Sequence, residues 1–338
     1  IREEDIEHIR QIADRERAPF YVVGETTGDH RFVFEQTDGV KPIDLAMEDM
    51  FGKAPRTVMT DRTVEETYED VTYDQTQLDE YVERVLQLEA VACKDWLTNK
   101  VDRSVTGKIA RQQCQGEIQL PLSDCGVVAL DYRGRAGIAT SIGHAPQAAL
   151  VDPAAGSVLS IAEALTNIVW APLSEGLDSV SLSANWMWPC KNEGEDARLY
   201  RAVEACSDFA CSLGINIPTG KDSLSMTQKY GKDKVYSPGT VIISAGAEVS
   251  DIRKVVSPVL RTGIDSTVYY IDFSFDKLKL GGSAFAQSLD KIGKEVPTVQ
   301  DSEYFANAFN AVQELINKEL ILAGHDISSG GMPVSYTH

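Results

Sequence analysis

The strongest constraint on the fold lies between residues 101 and 250, where apolar runs of strand length alternate with helices whose ends are marked in the sequence. Residues 127–131 and 136–140 are short apolar runs joined by the turn YRGR, and they read as a hairpin. A helix is expected over roughly 157–171, with Ser157 as N-cap and Pro172 just past its end. A second, over roughly 195–213, starts acidic, spaces Leu199, Ala202, Val203, Cys206, Phe209, Ala210 and Leu213 on one face, and stops at Gly214. Residues 180–182 and 240–249 read as strands. Such alternation predicts a mixed α/β (α+β) fold.

The flanks fit less completely. Residues 1–60 give a helix, short apolar segments at 21–24 and 31–35, and a polar loop, which is the tail of an α/β domain and not a whole one. Residues 61–100 divide into an acidic, threonine-rich linker at 61–76 and one amphipathic helix at 77–97, carrying Leu78, Tyr81, Val82, Val85, Leu86, Leu88 and Val91 near helical spacing. Beyond Ser250, residues 251–338 carry a strand signal at 267–273, a loop with Gly281 and Gly282, a helix at 302–318 and a strand at 320–323. This reads as part of another α/β domain. The opening residues IREEDIEHIRQIADRE start in mid-helix without a cap, and the closing GGMPVSYTH completes no periodic element, so a fragment is expected.

Fifty-one acidic against 32 basic side chains give a formal charge of −19, which repels nucleic-acid backbones and argues against such a partner. A small anion can still bind where helix N-termini, backbone amides or Mg²⁺ supply local positive potential. The six cysteines form no C-x-x-C pair, which favours free thiols in a reducing compartment. No apolar stretch approaches the roughly 18 residues that a membrane span needs, and the N-terminal residues are charged helix instead of a signal peptide. A cytoplasmic protein without membrane partners is the expectation.

Glu163 and Asn167 stand four apart on a helix and so project from one face, as an oxygen pair for Mg²⁺ would. Spacing alone favours an ordinary polar pair facing solvent. The surrounding Ile161, Ala162, Ala164, Leu165, Ile168, Val169 and Trp170 leave little room for a broad solvated face, however, and a narrow polar stripe on a mostly buried helix needs partners. Asp124 precedes an apolar strand and Asp326 precedes a glycine pair; either is turn chemistry by itself or a hard oxygen ligand in company. TGKDSLSM is not a P-loop, because five residues separate Gly214 from Gly220 and Asp222 follows Lys221. It reads as a small-residue turn, structural or binding, offering Lys221, Asp222, Ser223 and Ser225. No cysteine has a nucleophile's context, and His8, His30, His144, His325 and His338 show no metal-ligand spacing.

The strings DRSVTGKIARQQCQGEIQLPLSDCGVVAL, AEALTNIVWAPL, SLSANWMWPCKNEGEDARLYRAVEACSDFACSLGINIPTGKDSLSM and AGHDISSGG occur in the order and spacing of the large, single-chain type of phosphoribosylformylglycinamidine synthase. With PIDLAMEDMFGKAPR, the resemblance covers nearly the whole chain, and ANWMW with TGKDSLSM is highly specific to that family. Relatives such as aminoimidazole ribonucleotide synthetase and selenophosphate synthetase share the fold but are not expected to share those strings. The resemblance implies a PurM-like synthetase architecture in which residues 1–60 end a first copy of a duplicated unit. Residues 61–100 would then be linker and joining helix, 101–250 the second copy's N-terminal domain, and 251–338 part of its C-terminal domain.

By the same resemblance, Asp124, Glu163, Asn167 and Asp326 bind Mg²⁺ around ATP or ADP, which Ser123 and Ser328 touch, at a site similar to an auxiliary nucleotide site. Asn185 and the loop carrying Lys221, Asp222 and Ser223 belong with the substrate pocket. The implied reaction is ATP-dependent C–N ligation: phosphorylation of an amide oxygen of formylglycinamide ribonucleotide, then displacement of phosphate by ammonia from glutamine, giving the amidine, glutamate, ADP and phosphate in purine biosynthesis. The first synthetase copy and the cysteine glutaminase domain would lie elsewhere in the same polypeptide, leaving this segment inactive alone. Two alternatives remain open: a non-catalytic Mg-nucleotide scaffold, and another ATP-dependent synthetase of the same fold.

Overall fold

In the computed structural model all residues are described except 54, 57, 99, 102, 105, 106, 337 and 338. His338, and Asp102, Val105 and Thr106 of the DRSVTG string, therefore lie outside the described residues. The chain divides into two compact units, Ile1–Met59 and Thr60–His338.

The first unit holds α1 (Ile6–Glu16), an antiparallel pair of β1 (Arg31–Phe34) with β2 (Ile43–Ala46), and α2 (Met47–Phe51). Helix α1 ends at Arg17, whose φ of 55° stops the helical path. Arg31 reaches across the strand pair to Asp44.

In the second unit, α3 (Leu78–Leu86) and α4 (Asp95–Thr98) precede β3 (Ile109–Arg111), β4 (Gly126–Ala129), β5 (Gly137–Gly143), α5 (Pro146–Val151) and α6 (Pro153–Ile168). Then come β6 (Ser181–Met187), α7 (Glu195–Ser212), β7 (Asn216–Ser223), β8 (Thr227–Tyr230), β9 (Asp233–Tyr236) and β10 (Thr240–Val249). Helices α8 (Ala284–Ser288), α9 (Ser302–Asn317) and α10 (Met332–Tyr336) complete it. Six strands form one mixed sheet in the order β3-β4-β5-β10-β6-β7, in which β6 and β7 run parallel and the other neighbours antiparallel. Strands β8 and β9 make a separate hairpin.

Helix α6 builds the core. Ile161, Leu165 and Ile168 recur at helical spacing and are fully buried, packed with Ile243 and Val249 of β10 and with Cys206, Phe209 and Ala210 of α7. Helix α9 joins this core through Phe305, Phe309, Val312 and Ile316, with Phe305 edge-on to Phe209. The buried Gln313 amide locks the two helices together, donating to the carbonyls of Val169 (2.6 Å) and Ala171 (2.9 Å) and accepting from the Leu173 N–H (2.8 Å). Each half of the amide is thus satisfied where water cannot reach.

Where α6 crosses β5 the sheet face is made of small residues. Along β5 the buried positions are Gly137, Ala139, Ser141 and Gly143, and the Ser141 hydroxyl donates to the Ala164 carbonyl at 2.6 Å. A Cβ on Gly143 would lie 2.2 Å from the Ser160 carbonyl oxygen and 2.3 Å from the Ala164 nitrogen, both helix backbone. The helix sits this close only because no side chain intervenes.

Several sequence expectations are corrected. Helix α6 starts at Pro153 and is capped by Asp152, whose carboxylate accepts from Ala154 and Ala155; Ser157 lies inside and bonds back to the Pro153 carbonyl. Asp followed by Pro is the stronger start signal. The helix expected over 77–97 ends at Leu86: the chain tightens there, and the Lys94 ammonium turns back onto the Glu89 and Ala92 carbonyls. Residues 267–273 and 320–323 form no strand, for neither finds a ladder partner; Tyr269, Tyr270 and Leu320 stay exposed. TGKDS is strand, not turn, as residues 219–223 run parallel to β6 with Lys221 opposite Asn185. Gly220 permits this, since a Cβ there would lie 2.2 Å from the Ala184 carbonyl oxygen. The β4–β5 hairpin, α7, β10 and α9 fall close to where the sequence puts them.

Gly143→Ala must force α6 off the sheet, and overpacking of this kind costs about 1–3 kcal/mol. Urea unfolding should show a clearly lower midpoint at unchanged slope, and an unaltered midpoint would mean that helix and sheet are less tightly apposed.

Candidate metal centre

Three separate elements deliver side chains to one place at the end of α6. Asp124 stands two residues before β4, its side chain only 4% exposed. Glu163 and Asn167 come from the face of α6 beside it. His325 and Asp326 lie on the segment after α9, tied down by the Gly324 N–H to the Ser257 carbonyl (3.1 Å) and by the Ser335 hydroxyl to the Asp326 carbonyl (2.8 Å). Gly324 itself packs against Trp170: a Cβ there would lie 2.1 Å from the indole ring, so glycine lets the segment approach.

The ligand atoms of Asp124, His325 and Asp326 all lie within 4.8 Å of one another. His325 Nδ1 is 2.6 Å from one Asp124 oxygen and 3.3 Å from an Asp326 oxygen, and the Asp326 backbone N–H donates to the other Asp124 oxygen at 3.3 Å. Asn167 donates to the Ile142 carbonyl at 3.0 Å and hydrogen-bonds Glu163, so the narrow polar stripe on α6 has its partners.

The electrostatics follow from crowding acids away from water. Burial first, then the charge of Asp124, push the Glu163 carboxyl up to about 7 against the opposing hydrogen bond from Asn167. Burial, then Asp124 and Glu163, push Asp326 up to about 8, with His325 opposing. For His325, burial disfavours the charged ring, but the hydrogen bond and charge of Asp124, with the charge of Asp326, outweigh it and raise its pKa. Two carboxylates and an imidazole lie within ligand distance of one another, with the Glu163 carboxyl and the Asn167 amide beside them, an oxygen-rich set that a hard divalent cation fits.

Not every candidate joins this cluster. The Ser123 hydroxyl is close in sequence but donates to the Gln112 carbonyl at 2.6 Å, and Ser328 is exposed on the loop after Asp326. Asn185, Lys221, Asp222 and Ser223 lie on β6 and β7, with β5 and β10 between them and β4. Three strand spacings amount to roughly 14 Å, so they form a second location. Within it the Lys221 ammonium meets the Ser223 hydroxyl at 2.6 Å, and the Asn185 Oδ1 is buried with no partner among the described residues. Sequence spacing gave no sign of His325; its position next to Asp326 was the available signal.

Both raised carboxyls bind protons more readily folded than unfolded. In metal-free protein the native state therefore holds more protons between ordinary carboxyl pKa values, about 4, and the folded values of about 7 and about 8, and stability falls as pH rises through that window. Asp124→Asn removes the like charge, so both pKa values should drop and the fall become shallower. Carboxyl-carbon NMR titration reads this directly, and unchanged values for both groups would refute the coupling.

Comparison with known proteins agrees with this architecture. Residues 93–248 match the family described as the FGAR-AT PurM_N-like domain. Phosphoribosylformylglycinamidine synthase of Drosophila melanogaster is 38% identical over 97% of the chain, and that of Homo sapiens 37% over 98%. Among solved structures, T. maritima PurL complexed with AMPPCP superposes with a TM-score of 0.51 at 14% identity, over 76% of this chain and 38% of that one, a likeness of fold. The chain spans about a quarter (26%) of the length of these curated relatives, which it resembles over nearly all of its own length, and its residues 93–248 carry the FGAR-AT PurM_N-like domain.

Proposed function

We propose that this chain is the nucleotide- and Mg²⁺-holding part of a ligase that converts formylglycinamide ribonucleotide, glutamine and ATP to formylglycinamidine ribonucleotide, glutamate, ADP and phosphate. The observation that carries this reading is the meeting of Asp124, His325 and Asp326 beside α6, where the charges of Asp124 and Glu163 raise the Asp326 carboxyl and Asn167 hydrogen-bonds Glu163. Curated relatives bearing the synthase name, and the AMPPCP complex of the structural neighbour, support it.

Asp124, Glu163, Asn167 and Asp326 would hold the cation, which when bound neutralises phosphate charge. The protein's own share is positional. Asn167 orients Glu163 while its amide is fixed on Ile142, and His325 steers the Asp124 carboxylate. Ser123 and Ser328 flank the cluster as nucleotide contacts. Asn185, Lys221, Asp222 and Ser223 are assigned to the ribonucleotide substrate, and their separate place on β6 and β7 favours two ligand locations over one. We keep residues 61–100 as the joining segment, 101–250 as the N-terminal and 251–338 as part of the C-terminal domain of a second PurM-like copy, after an end of the first at 1–60. The remaining synthetase copy and the glutaminase are the expected partners, in the cytoplasm. Among the described residues no helix is long and apolar enough to cross a membrane.

A structural role for the bound nucleotide is the second reading, favoured by the distance between the acid cluster and the β6–β7 location. Glu163→Gln and Asp124→Asn in the full-length polypeptide should each weaken Mg-ADP binding at least tenfold by calorimetry. Binding equal to the parent protein's would defeat the assignment of the cluster. Loss of ligase turnover only in variants at Lys221 or Asp222 would give the cluster the structural role.

A further inference from the structure

Beside β3, at the edge of the sheet next to β4, an open polar cavity of about 380 Å³ is lined by Arg103, Arg111, Gln112, Gln115 and Gln119, together with backbone. Each of its two arginines has a guanidinium nitrogen without a partner. Arg103 Nη1 and Arg111 Nε are both buried, and neither has a hydrogen-bond partner among the described residues. The rest of Arg111 is committed: Nη1 donates to Gln115 Oε1 and Nη2 to the Val255 carbonyl, each at 2.8 Å. The group is therefore held in place at both terminal nitrogens, and Nε is the guanidinium nitrogen left without a partner. No described Asp or Glu lines the cavity, although the chain as a whole carries a formal charge of −19.

A buried charged donor without an acceptor is expensive, and an arginine stays protonated under any ordinary condition. Burial works against the charged form of Arg111 and outweighs the opposing effect of Cys125. An anion placed between Arg103 and Arg111 would satisfy both guanidinium groups. The structure assigns this cavity, between Arg103 and Arg111, as a binding site for a phosphate group, distinct from the acid cluster at Asp124. Arginine forks match tetrahedral oxyanions, and the amide side chains of Gln112, Gln115 and Gln119 can add neutral donors. The phosphate belongs either to a free small ion or to the tail of a nucleotide extending from the neighbouring cluster, since Ser123, beside Asp124, bonds the Gln112 carbonyl on the cavity wall.

The probe is inorganic phosphate, titrated calorimetrically into the full-length polypeptide with divalent cations chelated. Saturable, salt-sensitive binding is expected, weakened at least fivefold in Arg103→Gln and in Arg111→Gln, and unchanged in Glu163→Gln. Arg103 has no described hydrogen bond or ion pair to lose, so its variant tests the site even if Arg111→Gln fails to fold. Displacement of phosphate by ADP identifies a nucleotide's phosphate as the occupant; failure of ADP to displace it identifies a free ion. Equal affinity in both arginine variants, absence of saturable binding, or phosphate binding that needs Mg²⁺ and vanishes in Glu163→Gln would each overturn the assignment. The last outcome would return the anion to the acid cluster and leave the proposed nucleotide role standing, whereas failure of that role alone would leave phosphate binding here intact.

Discussion

The mutual repulsion of Asp124, Glu163 and Asp326 is the constraint that the rest of the structure has to accommodate. Two like charges about 4 Å apart interact with ~4 kcal/mol at an effective dielectric near 20, and here three acids share one poorly hydrated corner. The fold offsets this by burial elsewhere. Phe305, Phe309, Ile161 and Leu165 are fully buried, and each such side chain contributes roughly 1.5–3 kcal/mol. The acids also shed charge by holding protons, Glu163 with a pKa of about 7 and Asp326 with one of about 8, which keeps the corner intact without a cation but leaves it poised to accept one.

That trade depends on α6 serving two purposes at once. Its apolar face carries Ile161, Leu165 and Ile168 into the core, and the same turns carry Glu163 and Asn167 to the edge of the core. Close apposition at Gly143 fixes the depth of the helix, while Gln313 fixes its C-terminal end against α9. Position and chemistry are thereby inseparable: a shift of the helix by a fraction of an ångström would move both ligand candidates together, and the backbone carbonyl of Ile142, which holds Asn167, belongs to the very strand on which the helix rests.

Long periodic segments were legible because burial alone dictates them. Helices α7 and α9 carry apolar residues at helical spacing and end at Gly214 and near Lys318, and β10 alternates buried and open positions along its length. Segments whose structure depends on a distant partner were not. Residues 267–273 have strand composition yet no neighbour to pair with, whereas Gly220, Lys221, Asp222 and Ser223 have turn composition yet are drawn into the sheet by β6. The acid cluster shows the same limit. Spacing linked Glu163 to Asn167, but only family resemblance linked either of them to Asp124 and Asp326, and His325 had no local signal beyond its place next to Asp326.

His325 narrows what the corner can be. An imidazole among carboxylates suggests a transition-metal site, because ring nitrogens are good ligands for zinc and iron. Its Nδ1, however, is already engaged 2.6 Å from Asp124, so the nitrogen that faces the acids supports a carboxylate and is not free to face a metal. Neutral, that nitrogen can hold the Asp124 carboxylate in one orientation by donating its proton; charged, as its raised pKa favours, the ring also supplies part of the positive charge that the acids lack. Under the proposed function the arrangement would be a hard oxygen site with a histidine standing behind one ligand, suited to an alkaline-earth cation carried in with phosphate, and the imidazolium offsets part of the acids' charge.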